Sequence, residues 1–279
     1  MILKALIPLA LATGLLATGA IQQHFQGSSS SGHFSRMEAK LGLSPDQKKA
    51  IHQVIEQHRP TLAARMEALV QARNAALDAG MDPAVSPEAW RPYQETFAQG
   101  AYDLVKEVRA TYLEALPILS DSQRADGKAM LKQLRAHLAG MHGMHGDLAH
   151  HLLKSRLDLT EPQEAAIQAI VTAHRPALES KLEALHQLHA GALDAALDPT
   201  TSQEVLDQNF LTIRAAGFAL SSEVRATYLE AQAQLTPEQR QKTKDLVKDL
   251  RTALDGIRKL IAGSDPLPWM PTPCAPSPS

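Results

Sequence analysis

The sequence contains one unit twice, and this internal duplication constrains the possible folds more than any other feature. The phrase Leu-Ser/Thr-x-x-Gln occurs four times, in two pairs that superimpose at an offset of 116 residues. Aligned without a gap, Leu43–Gly140 matches Leu159–Gly256 at about 40 of 98 positions. A duplication on this scale predicts two structural units of one fold, with about 110 residues each.

The side-chain periodicity of both units predicts helices. Apolar residues recur every three or four positions between Ile167 and Leu193, and no segment shows the period of two that is typical of strands. We expect an all-α fold made of two elongated helical-hairpin repeats in tandem, with about four helices in each. The predicted helices cover residues 34–41, 45–79, 87–117 and 121–139 in the first repeat and 147–157, 161–196, 203–233 and 237–261 in the second.

The segments outside the repeats indicate an exported protein. Lys4 precedes an apolar run and then a group of small residues, as in a cleavable signal peptide. An uncleaved anchor is the alternative, but the uncharged stretch 5–21 is at the short edge of a membrane span of about 20 residues. The predicted segments are a signal peptide at 1–20, a flexible linker at 21–32, the first repeat at 33–142, the second repeat at 143–262 and a disordered Pro-rich tail at 263–279.

The composition argues against several classes of function. A formal net charge of −2 gives no basic surface for nucleic acid. No Gly-rich phosphate loop, nucleophile elbow or zinc-protease helix motif occurs, so we do not expect an enzyme. An aromatic content of 4% disfavours a lipid-binding bundle, and we expect no stable membrane insertion after signal cleavage.

The repeated phrase has a direct physical meaning at the start of a helix. Its Ser or Thr can accept a hydrogen bond from the third helical residue, while its Gln reaches back to the first backbone N–H, forming a capping box. Its Leu has no apolar partner within the same helix and must pack against a neighbouring one. The twelve motif residues are Leu43, Ser44, Gln47, Leu119, Ser120, Gln123, Leu159, Thr160, Gln163, Leu235, Thr236 and Gln239.

A proline lies inside each of the two longest predicted helices. Pro60 and Pro176 each follow a His-Arg pair at matching positions of the two repeats. Each proline removes one backbone hydrogen bond and crowds the preceding turn, which predicts a bend there. The adjacent histidines, His58 and His174, lie on the apolar stripe, where a core imidazole is favoured over a ligand or a switch.

The longest identical run retains its charged residues as well as its apolar ones. Residues 107–115 and 223–231 both read EVRATYLEA. No opposite charge lies three or four residues away within the helix, so we interpret the charges as contacts between helices, with an acidic partner for each arginine. A hairpin contact without functional role is the alternative. The candidate contact residues are Glu107, Arg109, Glu114, Glu223, Arg225 and Glu230.

The motif residues resemble those of the Spy/CpxP family of periplasmic proteins. Leu159–Gln163 and Leu235–Gln239 match the family's Leu-Thr-x-x-Gln pattern in full, whereas the two copies in the first repeat have Ser in place of Thr. The resemblance spans residues 33–260. It implies a periplasmic, ATP-independent chaperone that holds unfolded or partly folded client proteins during envelope stress and requires no cofactor.

The same resemblance implies a particular assembly. Members of the family form a thin, curved cradle from two antiparallel protomers. This chain carries two units in one polypeptide, so we expect a monomer that acts as an intramolecular pseudo-dimer. Two hairpins that are strung together independently are the alternative.

A cluster of His and Met at the junction of the repeats suggests a competing function. Imidazoles and thioethers suit copper, nickel or zinc, and some relatives of this fold are metal-responsive. The spacing fits no fixed zinc motif, and the glycines between the ligands favour a solvated linker. The residues that would hold a weakly bound Zn, Cu or Ni ion are His142, His145, His150 and His151.

Overall fold

A computed structural model describes residues 40–140 and 157–249. These residues form helices, a single 3₁₀ turn and short connections, and none of them lies in a strand, so the predicted all-α fold class is confirmed. The helices are α1 (Pro45–Met81), α2 (Pro87–Ala115), α3 (Asp121–Gly140), α4 (Glu161–Leu197), α5 (Gln203–Ala233) and α6, which begins at residue 237 and is described to residue 249.

The helix ends occur close to the predicted positions. α1 ends at Met81 and α4 at Leu197, each just before an Asp-Pro pair that disfavours further helix. The predicted helices 34–41 and 147–157 lie almost wholly outside the described residues. The signal peptide, the linker and the Pro-rich tail lie outside them entirely.

Each repeat is built around one long helical hairpin. α1 packs along α2 and α4 along α5, with a short turn at the tip of each pair. α1 and α4 contain 37 residues each, so each hairpin is about 55 Å long at 1.5 Å per residue. None of the described helices is long and apolar enough to cross a membrane.

The four long helices begin at side-chain caps. Ser44 caps α1 and Thr160 caps α4, each with a complete capping box. Ser86 and Ser202, which share one position in the two repeats, cap α2 and α5 by accepting from a backbone N–H three residues ahead. Such caps contribute about 1 kcal/mol each and fix where the chain leaves the turn.

Pro60 and Pro176 lie inside the continuous helices α1 and α4. A third internal proline, Pro92, lies in the second turn of α2. The helices continue through both prolines. The bend expected at Pro60 and Pro176 stays a prediction.

The two hairpins cross where α2 meets α5. The rings of Tyr102 and Phe210 stack with centroids 4.2 Å apart, and the Tyr102 hydroxyl donates to Asp207. Further along the crossing, the buried Gln94 amide donates to the Ser221 hydroxyl at 2.5 Å. These contacts hold the two repeats side by side within one chain.

The main buried cluster is shared by the two repeats. It runs through the second hairpin and includes residues from the tip of the first hairpin. Its members are Leu77, Ala79, Met81, Trp90, Leu157, Ile167, Leu178, Leu185, Leu220, Val224, Tyr228, Ala231 and Leu235. The hydrophobic stabilisation of the second repeat therefore depends in part on the first.

Candidate functional site

The motif glutamines of each repeat bind one another. Gln47 at the start of α1 donates to the side-chain oxygen of Gln123 at the start of α3 at 2.8 Å, and Gln123 donates back at 3.1 Å. Gln47 also donates to the carbonyl of Ile118, and Gln123 to that of Leu41. We call this pair the glutamine clamp; it joins two helix starts that are 76 residues apart in sequence.

The second repeat contains the same clamp with the same partners. Gln163 donates to Gln239 at 2.8 Å and to the carbonyl of Gln234. Gln239 donates back at 3.2 Å and also bonds the carbonyl of the fully buried Leu157. All four motif glutamines additionally accept from the N–H of their own capping residue.

Of the four motif leucines, Leu235 is buried and the other three, including Leu159, are half-buried. Leu235 belongs to the main buried cluster, and Leu159 packs against it. Leu43 and Leu119, at the matching positions of the first repeat, are half-buried. The phrase is therefore a joint at the base of each hairpin, and its contacts define architecture.

A histidine in each hairpin lies between two glutamates of the EVRATYLEA run. His58 on α1 bonds Glu107 through Nδ1 at 2.7 Å and Glu114 through Nε2 at 2.9 Å. His174 on α4 bonds Glu223 at 2.7 Å and approaches Glu230 at 3.3 Å. The expectation of a core imidazole is therefore wrong for both histidines: each is half-buried and bridges carboxylates across its hairpin.

The carboxylates raise the pKa of both histidines. The hydrogen bonds that the imidazole donates to Glu114 and then to Glu107 raise the pKa of His58 above its ordinary value of 6.5. For His174 the largest cause is the hydrogen bond to Glu223. Lys181 and then His174 lower the pKa of Glu223, so that carboxylate stays ionised when the imidazole is charged.

The two arginines of the run reach across to the other repeat. Arg109 on α2 donates to the carbonyls of Ala196, Asp198 and Thr201, at 3.1, 3.2 and 3.0 Å, where α4 ends. The sequence predicted an acid on a facing helix as the partner; the hydrogen bonds go instead to backbone carbonyls, although the Asp198 carboxylate also interacts electrostatically with Arg109. The last carbonyls of a helix have no partners within the helix and carry partial negative charge, so they bind a guanidinium well.

Arg225 makes the reciprocal contacts at the end of α1. Its guanidinium donates to the carbonyl of Gly80 at 3.0 Å, to that of Asp82 at 3.2 Å and to that of Val85. These acceptors are the 116-residue counterparts of the acceptors of Arg109. We call the two sets of contacts the arginine clasps; each fastens the tip of one hairpin to the middle of the other.

The described part of the chain also has several large apolar side chains in contact with solvent. Val105 and Val108 on α2 are 49% and 52% exposed, and Leu193 on α4 is 43% exposed. Tyr93, Val205 and Leu211 are exposed to a similar degree. Trp90, three residues before Tyr93 on the same helix, is buried.

No group of three or more metal-ligating side chains occurs among residues 40–130 and 157–249. The four histidines proposed as weak ligands, at positions 142, 145, 150 and 151, lie outside the described residues. A metal site at the junction of the repeats therefore stays a prediction.

Of the two kinds of contact that the sequence interpretation missed, only the histidine bridges had a detectable signal. His58 and Glu107 are separated by 49 residues, and so are His174 and Glu223. A pair that occurs twice at one separation predicts contact across a hairpin. The arginine clasps gave no comparable signal, because their acceptors are backbone carbonyls that any residue could supply.

Comparison with known families and proteins gives one match. The model of the LTXXQ motif family protein matches residues 144–247, which include both motif copies of the second repeat. No curated protein and no solved structure was found to match the chain.

Proposed function

We propose that the chain is an ATP-independent holdase that binds unfolded or partly folded proteins in the periplasm, and the match of residues 144–247 to the LTXXQ motif family supports this. Its role is non-enzymatic binding, and no cofactor is required. The signal-like segment at 1–20 supports export. The motif residues join the helices at the base of each hairpin, which supports a scaffold that binds its partners through its surface.

The observation that carries this proposal is a set of exposed aliphatic side chains on a rigid frame. Val105, Val108 and Leu193 present apolar surface to water, although each lies on a capped helix of 29 residues or more. Isolated exposed hydrophobic residues are common, whereas several along one hairpin crossing indicate a surface for partners. Unfolded chains offer complementary apolar side chains.

The proposed active unit is a single chain. The arginine clasps and the Tyr102–Phe210 stack fasten one repeat to the other, as two protomers would be fastened in a dimer. Because the halves are covalently linked, their effective concentration is about millimolar and assembly does not depend on protein concentration. Sedimentation of the mature protein should therefore show a monomer across the accessible concentration range.

The direct test is suppression of aggregation. A chemically denatured, unrelated protein is diluted into buffer with the mature chain, without ATP, and light scattering is followed with and without zinc or copper. The proposal expects suppression at near-stoichiometric ratios in the absence of metal. Scattering that falls only when metal is added would favour a metal-responsive role instead, and unchanged scattering in both arms would overturn the proposal.

A further inference from the structure

The two arginine clasps are alike in hydrogen bonding and unlike in packing. At the first, which we call the closed junction, Leu77 and Val224 flank the Arg225 contacts and are 7% and 0% exposed. At the second, the open junction, the counterparts Leu193 and Val108 flank the Arg109 contacts and are 43% and 52% exposed. The same two apolar positions are therefore covered at one clasp and exposed at the other.

The closed junction is filled by Trp90. Its indole is 3% exposed and donates to the carbonyl of Ala76 at 2.8 Å. The guanidinium of Arg225 lies over the ring, 5.3 Å from its centroid. Gly80 makes room for the ring, because a Cβ at that position would lie 3.0 Å from three indole atoms.

At the open junction, one of the two matching side chains is smaller and the other is larger. Leu206 occupies the place of Trp90, and Ala196 occupies the place of Gly80. Leucine has no second ring with which to extend over Val108 and Leu193. The indole is absent because residue 206 is a leucine. The greater exposure of Val108 and Leu193 therefore follows from the identity of that residue.

The open junction is also the more apolar of the two. The hydrogen-bonded pair Gln94 and Ser221 of the closed junction is replaced by Phe210 and Val105. Three cations contact residues that line or adjoin this site, and one of them, Lys106, is paired with Asp103 at 2.8 Å. Lys106 lies over the ring of Tyr102 at 4.8 Å, Arg214 lies over that of Phe210 at 5.6 Å, and Arg109 lies within its clasp.

We propose that the open junction binds an aromatic side chain of an extended, unfolded polypeptide, which covers Val108 and Leu193 from the solvent side, as Trp90 helps to cover their counterparts in the closed junction. The occupant follows from continuity with the closed junction, where the same frame is completed by an indole beside an arginine. Cationic groups around the site add favourable contacts to an aromatic face. This inference rests on the proposed holdase function and names the site and the side-chain class through which it acts.

The test grafts the closed junction onto the open one. The double variant Ala196→Gly/Leu206→Trp places an indole where the client's ring would bind and removes the Cβ that would obstruct it. The full mature chain is titrated into two labelled, unstructured peptides that are identical except that one contains a single Trp and the other a Ser. Fluorescence anisotropy reports binding, and Val205→Trp, one position earlier on α5 and 48% exposed, is the matched control.

The expected result is binding of the Trp peptide that is about tenfold tighter than that of the Ser peptide, as burial of one aromatic ring implies. The grafted variant should lose this preference, while Val205→Trp should keep it. Val108→Ser, which alters an exposed residue and leaves the core intact, should weaken binding of the Trp peptide without lowering the melting temperature. That variant tests the site even if the graft fails to fold.

Three outcomes would overturn the inference in distinguishable ways. If the unmodified chain suppresses no aggregation and binds neither peptide, the proposed function fails as well. If it binds the Trp peptide and the grafted, folded variant binds it equally, only the assignment to the open junction fails. If the unmodified chain sediments as a dimer and the graft makes it monomeric, the junction is occupied by a second copy of this chain and not by a client.

Discussion

Replacing Arg225 with Met should destabilise the protein far more than the same replacement at Arg109. Both arginines donate to three carbonyls at a helix end, and the three contacts are counterparts. Arg225 is 7% exposed, whereas Arg109 is half-buried. The two substitutions therefore compare equivalent hydrogen bonds made by a buried arginine and by a half-buried one.

The magnitude follows from which carbonyls can find water once the guanidinium is gone. A hydrogen bond to a charged group contributes about 1.5–3 kcal/mol, but part of this is recovered where water replaces the donor. Gly80 and its counterpart Ala196 are both buried, so each substitution leaves one such carbonyl without its arginine donor. Water can replace the half-buried Arg109 more readily than Arg225, and only Arg225→Met removes a cation from the face of Trp90. We expect a loss of about 3 kcal/mol for Arg225→Met and about 1 kcal/mol for Arg109→Met.

Urea unfolding followed by far-UV circular dichroism measures both losses. A loss of 1 kcal/mol corresponds to about 2–4 °C in melting temperature for a domain of about 150–250 residues, so the two variants should be separable by heat as well. Because both clasps fasten the same two hairpins, the double variant should lose less than the sum of the two single losses. Equal losses for the two single variants, or a loss under about 1 kcal/mol for Arg225→Met, would refute the assignment by burial.

Three further predictions concern the clamp, the histidines and the tip of the first hairpin. Gln239→Leu should lower the free energy of unfolding by about 2 kcal/mol, because a buried carbonyl loses its donor; a urea midpoint unchanged from wild type would contradict the clamp. Because the pKa of both histidines is raised in the folded protein, the stability they provide should be present below pH 6.5 and lost as the pH rises through the raised pKa. Urea midpoints between pH 5.5 and 8.5 should show this slope in wild type and a flatter one in the double variant His58→Gln/His174→Gln, and equal slopes would exclude the two bridges as its source. Gly80→Ala should lower the melting temperature, because overlap with the indole costs about 1–3 kcal/mol and outweighs a gain in helix propensity of at most about 1 kcal/mol. The control Ala196→Gly should cost about 1 kcal/mol of helix propensity, and a raised melting temperature for Gly80→Ala would argue against the overlap.

Local chemistry allowed the helices to be predicted from the sequence. A capping hydroxyl followed three residues later by Gln marks the start of α1 and α4, and Asp-Pro marks their ends. These signals involve residues within one turn of each other, so no knowledge of packing is needed. The all-α class was predicted from the recurrence of apolar residues every three or four positions.

The contacts between helices could be predicted only where the duplication made them visible. The run around Arg109 was singled out because it is identical in both repeats, yet its partners could not be identified. They are carbonyls 87–92 residues away, and backbone groups leave no trace in side-chain patterns. The open junction could not be predicted for a different reason. It depends on the difference in volume between Trp90 and Leu206, and aligning these two positions does not show which neighbouring side chains become exposed.

The glutamine clamp restricts which residue can stand at the end of each motif phrase. A capping box by itself accepts Glu as readily as Gln, since only an acceptor oxygen is needed. In the clamp, however, the Gln47 amide accepts from Ser44 through its oxygen and donates to Ile118 and Gln123 through its nitrogen. A carboxylate has no hydrogen to donate, and two facing carboxylates would repel one another. The glutamine of the phrase is therefore required because its amide is a hydrogen-bond donor and an acceptor at the same time. Loss of the amide nitrogen by deamidation would open the base of the hairpin while leaving the helix cap intact.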